Sequence, residues 1–348
     1  MEFSKRFLIT LKDYGFKRTF LRIGYELRIK IDKILPDRLS LFLIGYNYKQ
    51  NQKWLNILNN LKCNDHKIEF ANDFYKTEYI NFKFINKEIN FSLPIKSWNN
   101  KKWDRLWQFN LHYFDWIREC IDQYLEKNYI NNKLKLTPII INQWIDNNHI
   151  GKGDGWHSYT ISIRLRNWIW ALRVFPELAN KKIISSIWKQ LCWLSSHLEN
   201  ANGGNHYIEN LCTLIIASLQ FDNEKSKKIY STNLYRLKEE LRKQILMDGG
   251  HEERSASYHI LLLDRLTELG CIIESLKKER PNWLIEKITQ MSSWLELIKL
   301  EKNNFPRFND SPKDGCPDLD LVLNFSLSFI YSKSLIYRNT SVLRAKLL

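Results

Sequence analysis

From Trp103 onward the chain reads as one amphipathic helix after another, and that run confines it to a mainly helical fold. Apolar residues return every three to four positions over 103–127, 136–149, 160–175, 181–199, 206–221, 227–247, 256–275, 282–300 and 318–335. Turn-forming residues part these segments: Gly151 to Gly155, Asn202-Gly203-Gly204, Gly249-Gly250, and Pro306 to Pro317. Helices of such length with short connections pair as antiparallel hairpins. No period of sequence repeats, which disfavours TPR and HEAT arrays. An α/α toroid, complete or partial, fits the helix count. Periodicity by itself does not separate it from an irregular bundle.

Before Trp103 the pattern differs. Residues 16–35 read as a basic amphipathic helix. Phe16, Phe20, Ile23, Leu27, Ile31 and Ile34 form its stripe, Arg18, Arg22, Arg28 and Lys30 lie between them, and Pro36 ends it. The expectation is a helix packed on the main domain through that stripe; a membrane-surface helix is the alternative. Ile80 to Phe84 and Ile89 to Leu93 alternate with period two, as short strands or extended loop bounded by Pro94. The chain thus divides into a helix and extended segment, 1–100, packing on a helical domain, 101–348.

Bulk properties narrow the partners. With 348 residues, 44% of them hydrophobic, the chain can build one large domain or two smaller ones. Thirteen Trp and sixteen Tyr exceed what a plain helical scaffold needs; most belong in the core, and a few suit a cleft where rings stack on sugars. A net charge of +15 favours a polyanionic partner: acidic polysaccharide, nucleic acid or an anionic membrane. No RNA-binding signature, zinc-finger spacing or basic-zipper pattern supports nucleic acid. Six scattered cysteines without a C-x-x-C pair argue against a zinc site or a dense disulfide framework. The apolar run Phe7 to Leu11 is too short for a signal peptide, and no stretch suits a membrane span. A cytoplasmic or membrane-peripheral location is expected, or a periplasmic one through another export route.

Three turn-marked segments, two of them opened by a glycine pair, combine polar residues with chemistry. In Gly203-Gly204-Asn205-His206-Tyr207-Ile208-Glu209-Asn210, Asn205 and His206 fall at a helix N-terminus, where free N–H groups favour an anion. His206 and Asn210 share a helix face. Spacing by itself favours a structural role, with Asn205 as cap and His206 as a core histidine. In Gly249-Gly250-His251-Glu252-Glu253-Arg254-Ser255-Ala256-Ser257-Tyr258-His259, Ser255 or Ser257 can start a helix. Arg254 and Tyr258 are four apart, so a guanidinium near the phenol would lower its pKa; an anchoring tyrosine is the structural reading. In Pro306-Arg307-Phe308-Asn309-Asp310-Ser311, Arg307 could pair with Asp310, or either could face a cleft. Two further segments, Asn110-Leu111-His112-Tyr113-Phe114-Asp115 and Trp156 to Trp168, begin helical stretches. In the second, Arg164 and Trp168 are one turn apart, suited to a carboxylated sugar or, more safely, to a structural cation–π pair.

Taken together, FNLHYFD at 109–115, WHSYTISIRLRNW at 156–168, GGNHYIEN at 203–210, GGHEERSASYH at 249–259 and PRFNDS at 306–311 resemble the heparinase II/III-like polysaccharide lyases and the related oligoalginate lyases. The five occur in family order, and the likeness covers about residues 100–315. It implies an α/α toroid followed by a β-sandwich that supplies a catalytic histidine. This chain, ending at Leu348, is expected to be a truncated product, a short form that works with another chain, or an inactive form.

The resemblance also implies chemistry: β-elimination at the 4-O bond of a uronic-acid polysaccharide. Asn205 would neutralise the uronate carboxylate, and His206 would serve as second donor or as base. Tyr258 would take the C5 proton and protonate O4, its pKa lowered by Arg254 and His206. Trp156, Tyr159, Arg164 and Asn110 would bind sugar, joined by His112, His251 and Glu209. Neither metal nor organic cofactor is expected. The alternatives are an acidic-glycan-binding module without turnover, and a glycoside hydrolase using two of Glu209, Glu252, Glu253 and Asp310.

Overall fold

The expected helices recur almost segment by segment in the computed structural model, which describes residues 19–47, 68–71, 79–127, 129–200, 203–276, 279–301, 304–312 and 316–331. Phe16, Arg18, Cys63, Asn202, the run Phe7 to Leu11 and the end of the last expected helix, 332–335, lie outside these. The described residues form two units. One draws on 1–52, 68–122 and 130–210; the other draws on 123–129 and 211–348.

The first unit holds α1 (described over 19–34), α2 (Asp37–Leu43), β1 (Tyr79–Phe84), β2 (Lys87–Ser92), α3 (Arg105–Tyr113), most of α4 (Asp115–Lys127), α5 (Asn132–Lys135), α6 (Thr137–Asn147), α7 (Ser158–Val174), α8 (Lys181–Ser196) and the start of α9 (Gly204–Ser218). The two period-two runs pair antiparallel as β1 and β2, with Phe84 opposite Lys87. Their two-residue turn, Ile85-Asn86, has φ of +50° and +58°, the handedness that matches strand twist.

The single helix expected over 103–127 is broken into α3 and α4 at Phe114, whose φ is +62°. Its ring stacks on Trp98 at 5.8 Å and meets Trp168 edge-on at 5.4 Å. A left-handed residue costs about 1–2 kcal/mol, whereas burying a Phe side chain gains roughly 1.5–3 kcal/mol. The aromatic core therefore decides the break.

Helix α1 also departs from expectation. It docks through Tyr25, Ile29 and Asp32, while Phe20, Leu27, Ile31 and Ile34 of the apolar stripe are 61%, 53%, 51% and 80% exposed. Polar contacts fix its rotation. Asp32 accepts from His197 Nε2 at 2.9 Å, and Lys152 Nζ donates to the carbonyls of Asp32, Lys33 and Leu35 at the C-terminal end of the helix.

Helix α7 is buried nearly all round and packs on α3 and α8. Its polar residues are thus internal partners. Arg164, fully buried, donates from Nε to Gln190 Oε1 at 2.9 Å, from Nη1 to the His112 carbonyl at 3.2 Å and from Nη2 to the Gly155 carbonyl at 2.8 Å. Its guanidinium carbon lies 3.8 Å from the centre of the Trp144 ring. Burial disfavours the cation; the carbonyls, the amide oxygen and the indole face replace its hydration.

The second unit holds the rest of α9, α10 (Glu224–Gln244), α11 (Ala256–Ser275), α12 (Asn282–Ile298) and α13 (Leu319–Tyr331). Helices α11, α12 and α13 pack on one another. The turn after α10 needs glycine at 249: φ is +91°, and a Cβ there would stand 2.2 Å from the Gln290 carbonyl oxygen of α12. Among the described residues no helix is long and apolar enough to cross a membrane.

Arg164→Leu keeps an apolar volume but leaves two carbonyls and an amide oxygen without donors in the core. We expect a loss of about 3 kcal/mol or more, read as a lower denaturation midpoint. Unfolding identical to wild type would remove Arg164 from this role.

Candidate active site

In the first unit the site grows from the start of α9. Gly203 and Gly204, at φ of +64° and +63°, turn the chain into the helix, so Asn205 and His206 occupy its first turn and Asn205 is not the cap. Both are half-buried by residue. The His206 side chain is 44% exposed, lies on the Tyr159 ring with centroids 4.0 Å apart, and brings Nδ1 to 3.4 Å from Glu199 Oε1. This is neither a buried core histidine nor a free surface one.

Glu199 is the residue that holds this cluster together, and the motif reading passed over it. It is 2% exposed. Its backbone N–H donates to Asn210 Oδ1 at 3.0 Å, and Asn210 Nδ2 donates to Glu199 Oε2 at 3.5 Å and to Ser162 Oγ at 3.0 Å. His157 Nε2 stands 3.8 Å from Glu199 Oε1. Burial works against the carboxylate charge, but the His206 hydrogen bond and the nearby imidazoles outweigh it and hold the pKa below the usual range. An ionised carboxylate only accepts, so His206 Nδ1 is the donor in this contact. Burial pushes His157 down. Burial and then the Glu199 charge push Tyr25 up. No local signal marks Glu199, because its partners come from α9 and from His157 ahead of α7.

Several residues expected to bind sugar belong instead to the scaffold of this unit. Arg164 is committed to the core contacts above. His112 is fully buried, with Nδ1 accepting from Trp144 Nε1 at 2.9 Å and Nε2 facing Asn99 Oδ1 at 3.3 Å. Burial first, and the Arg164 charge second, lower its pKa to about 3, which keeps it neutral. Glu209 accepts from Arg166 Nη1 at 2.6 Å in a buried ion pair, and is thereby lost to a hydrolytic carboxylate pair as well. Trp156 is 5% exposed and donates from Nε1 to the Asn148 carbonyl. Asn110 is half-buried and donates back to the Leu106 carbonyl of its own helix.

In the second unit Ser255 caps α11, its side chain accepting from Tyr258 N. Arg254 precedes the helix at φ +52° and is exposed, so the helical spacing that would aim its guanidinium at Tyr258 does not apply. The loop 306–312 is stitched to this helix start. Ser255 Oγ donates to the Asp310 carbonyl, Ala256 N donates to Ser311 Oγ, and Asn309 Nδ2 donates to the carbonyls of Glu253 and Arg254. That stitching sets Asp310 to accept the Tyr258 hydroxyl proton. Burial, then the Asp310 hydrogen bond and charge, push the phenol up to about 12. The expected lowering by a cation is therefore reversed: an anion sits where a cation was sought. His251, expected to touch substrate, is buried in the turn, facing Gln244 Oε1 at 3.0 Å, and burial lowers its pKa. Among the described residues no three His, Cys, Asp or Glu side chains cluster closely enough to hold a metal ion.

Comparisons with known proteins converge on one family. The family model described as Heparinase II/III N-terminus matches residues 37–328. A heparin-sulfate lyase of Pedobacter heparinus is 30% identical over 133 residues, 37% of this chain and 20% of that protein. The crystal structure of heparinase III superposes with a TM-score of 0.54 at 18% identity, covering 93% of this chain and 52% of that one. A heparan sulfate lyase HepC mutant from Pedobacter heparinus gives 0.54 at 18% identity, covering 85% and 49%. The chain spans about half the length of these two structures, and the shared fold is the expected mainly helical α/α toroid class. With most of its length matched, the chain belongs to the Heparinase II/III N-terminus family.

Proposed function

We propose that the chain is the helical part of a polysaccharide lyase of the heparinase type that cleaves an acidic, uronate-containing glycan by β-elimination. The observation that carries this reading is the Glu199–His206 pair: a half-exposed imidazole stacked on Tyr159, with its Nδ1 proton held by a buried carboxylate. Family membership supports the reaction class.

The chemistry assigns each group one task. The C5 proton of a uronate is a poor acid because the neighbouring carboxylate is negative. Asn205, in the first turn of α9, offers an amide donor to that carboxylate, aided by the helix N-terminus. His206 Nε2 takes the C5 proton. The electron pair forms the C4–C5 double bond, the C4–O4 bond breaks, and O4 leaves. The family likeness assigns the proton that O4 needs to Tyr258, which burial and Asp310 keep as a neutral phenol in the second unit. Glu199 acts through His206, by orienting it. The products are a hydroxyl-ended fragment and one ending in an unsaturated uronate.

Three measurements test this. Incubation with heparan sulfate, heparin or alginate should raise the ultraviolet absorbance of the conjugated uronate; no unsaturated product from any of them removes the reading. His206→Ala and Tyr258→Phe should each lower kcat by about 10²–10⁴-fold. Glu199→Gln should lower kcat by roughly tenfold or more with little change in KM, while an unchanged kcat would free His206 from that carboxylate.

Asp310→Asn removes both the charge and the anionic acceptor that favour the protonated phenol. The Tyr258 pKa should fall from about 12 towards the ordinary value of about 10, so phenolate forms at lower pH. Ultraviolet difference titration of each protein against its Tyr258→Phe counterpart reads this. A shift upward, or none, contradicts the pairing.

A further inference from the structure

Helix α1 is held with its apolar side turned outward. Phe20, Leu27, Ile31 and Ile34 recur at helical spacing and form one stripe, opposite the docking residues Tyr25, Ile29 and Asp32. All four are more than half exposed. A lone exposed apolar residue is ordinary, but a row of four marks an interaction surface. The exposure continues into α2, where Leu39, Phe42 and Leu43 also meet solvent. The rotation of α1 is fixed by the Asp32–His197 hydrogen bond and by the three carbonyls that accept from Lys152. The fold thus forgoes burial of the stripe, a loss that a partner lying on it would restore.

Charge selects the partner. Over residues 19–47 the exposed charged residues are Arg22, Arg28, Lys30, Lys33 and Arg38 against a single acid, Glu26. Glu26 already pairs with Arg22 at 3.5 Å. Arg28, Lys30, Lys33 and Arg38 form no ion pair among the described residues. Helical spacing puts Arg28 along one border of the stripe and Lys30 along the other. An apolar stripe edged by cations matches a lipid surface, where anionic headgroups lie directly over hydrocarbon and the long stems of Arg and Lys bridge the two layers. A second copy is a poorer match, because two-fold pairing of this face sets cations against cations. Among the described residues no helix is long and apolar enough to cross a bilayer, so the match is to its surface.

We propose that α1 docks on an anionic bilayer, with Phe20, Leu27, Ile31 and Ile34 in the boundary between headgroups and acyl chains and Arg28 and Lys30 at the headgroup phosphates. The inference is independent of the lyase reading. Because Asp32 and Lys152 tie α1 to its unit, the contact also fixes which side of that unit faces the lipid.

The test is flotation of the full chain with phosphatidylcholine vesicles, with and without phosphatidylglycerol. Wild type should float with the anionic vesicles and not with the neutral ones, and added salt should weaken the binding. Leu27→Ser with Ile31→Ser, and Arg28→Glu with Lys30→Glu, should each lower the partition coefficient about tenfold or more. Their denaturation midpoints should stay at the wild-type value, since these side chains already stand in water. Lys228→Glu with Lys238→Glu, an equal change of charge at exposed positions of α10, should float as wild type does. No flotation, equal flotation with neutral vesicles, flotation that survives the serine pair, or equal loss in the α10 variant overturns the proposal. Self-association abolished by the serine pair, in a chain that does not float, assigns the stripe to a second copy and overturns it as well.

Discussion

The first unit depends on one buried cation. Arg164 ties the end of α3, the turn ahead of α7 and the middle of α8 to a single guanidinium, with Trp144 against its face. Charge in an apolar interior is costly unless every donor is met. Two of the partners here are main-chain carbonyls, which are present whatever side chain their residues carry. The segment thus fixed, Gly155 to Tyr159, carries Trp156, His157 and Tyr159. A fully buried residue therefore sets the segment whose His157 and Tyr159 stand beside Glu199 and His206.

The two functional clusters use charge in opposite ways. Around Glu199, hydrogen bonds and imidazoles keep a buried carboxylate ionised, and the carboxylate in turn accepts from His206 Nδ1. Around Tyr258, an exposed carboxylate keeps a phenol protonated. Each arrangement holds a proton in place: Glu199 accepts a hydrogen bond from His206 Nδ1, and Asp310 accepts one from the Tyr258 hydroxyl. A lysine or arginine beside Tyr258 would have favoured phenolate and a base role instead.

Helix positions were largely legible, because amphipathic periodicity and caps are local properties. Ser255 before α11 and the Asn223–Ser226 capping box of α10 are examples. The glycine-marked motifs also located His206 and Tyr258, each in the first turn of the helix that follows its glycines. What misled was the meaning of polar residues inside helices. Arg164, His112 and Glu209 looked like ligand-binding groups by type, yet α7 and its neighbours are buried on most faces, so their polar side chains serve one another. Periodicity likewise chose the wrong face of α1, because the Asp32–His197 hydrogen bond and a capped C-terminus outweighed the apolar stripe.

The helical class, the order of the elements, the hairpin and the turns from which functional side chains emerge were all written in the linear chain. Each of these follows from interactions among residues a few positions apart. Folding alone chose which polar groups face one another: Glu199 with His206, Asp310 with Tyr258, Arg164 with two carbonyls. Burial and long-range pairing fix protonation and accessibility, and neither quantity exists until distant segments meet.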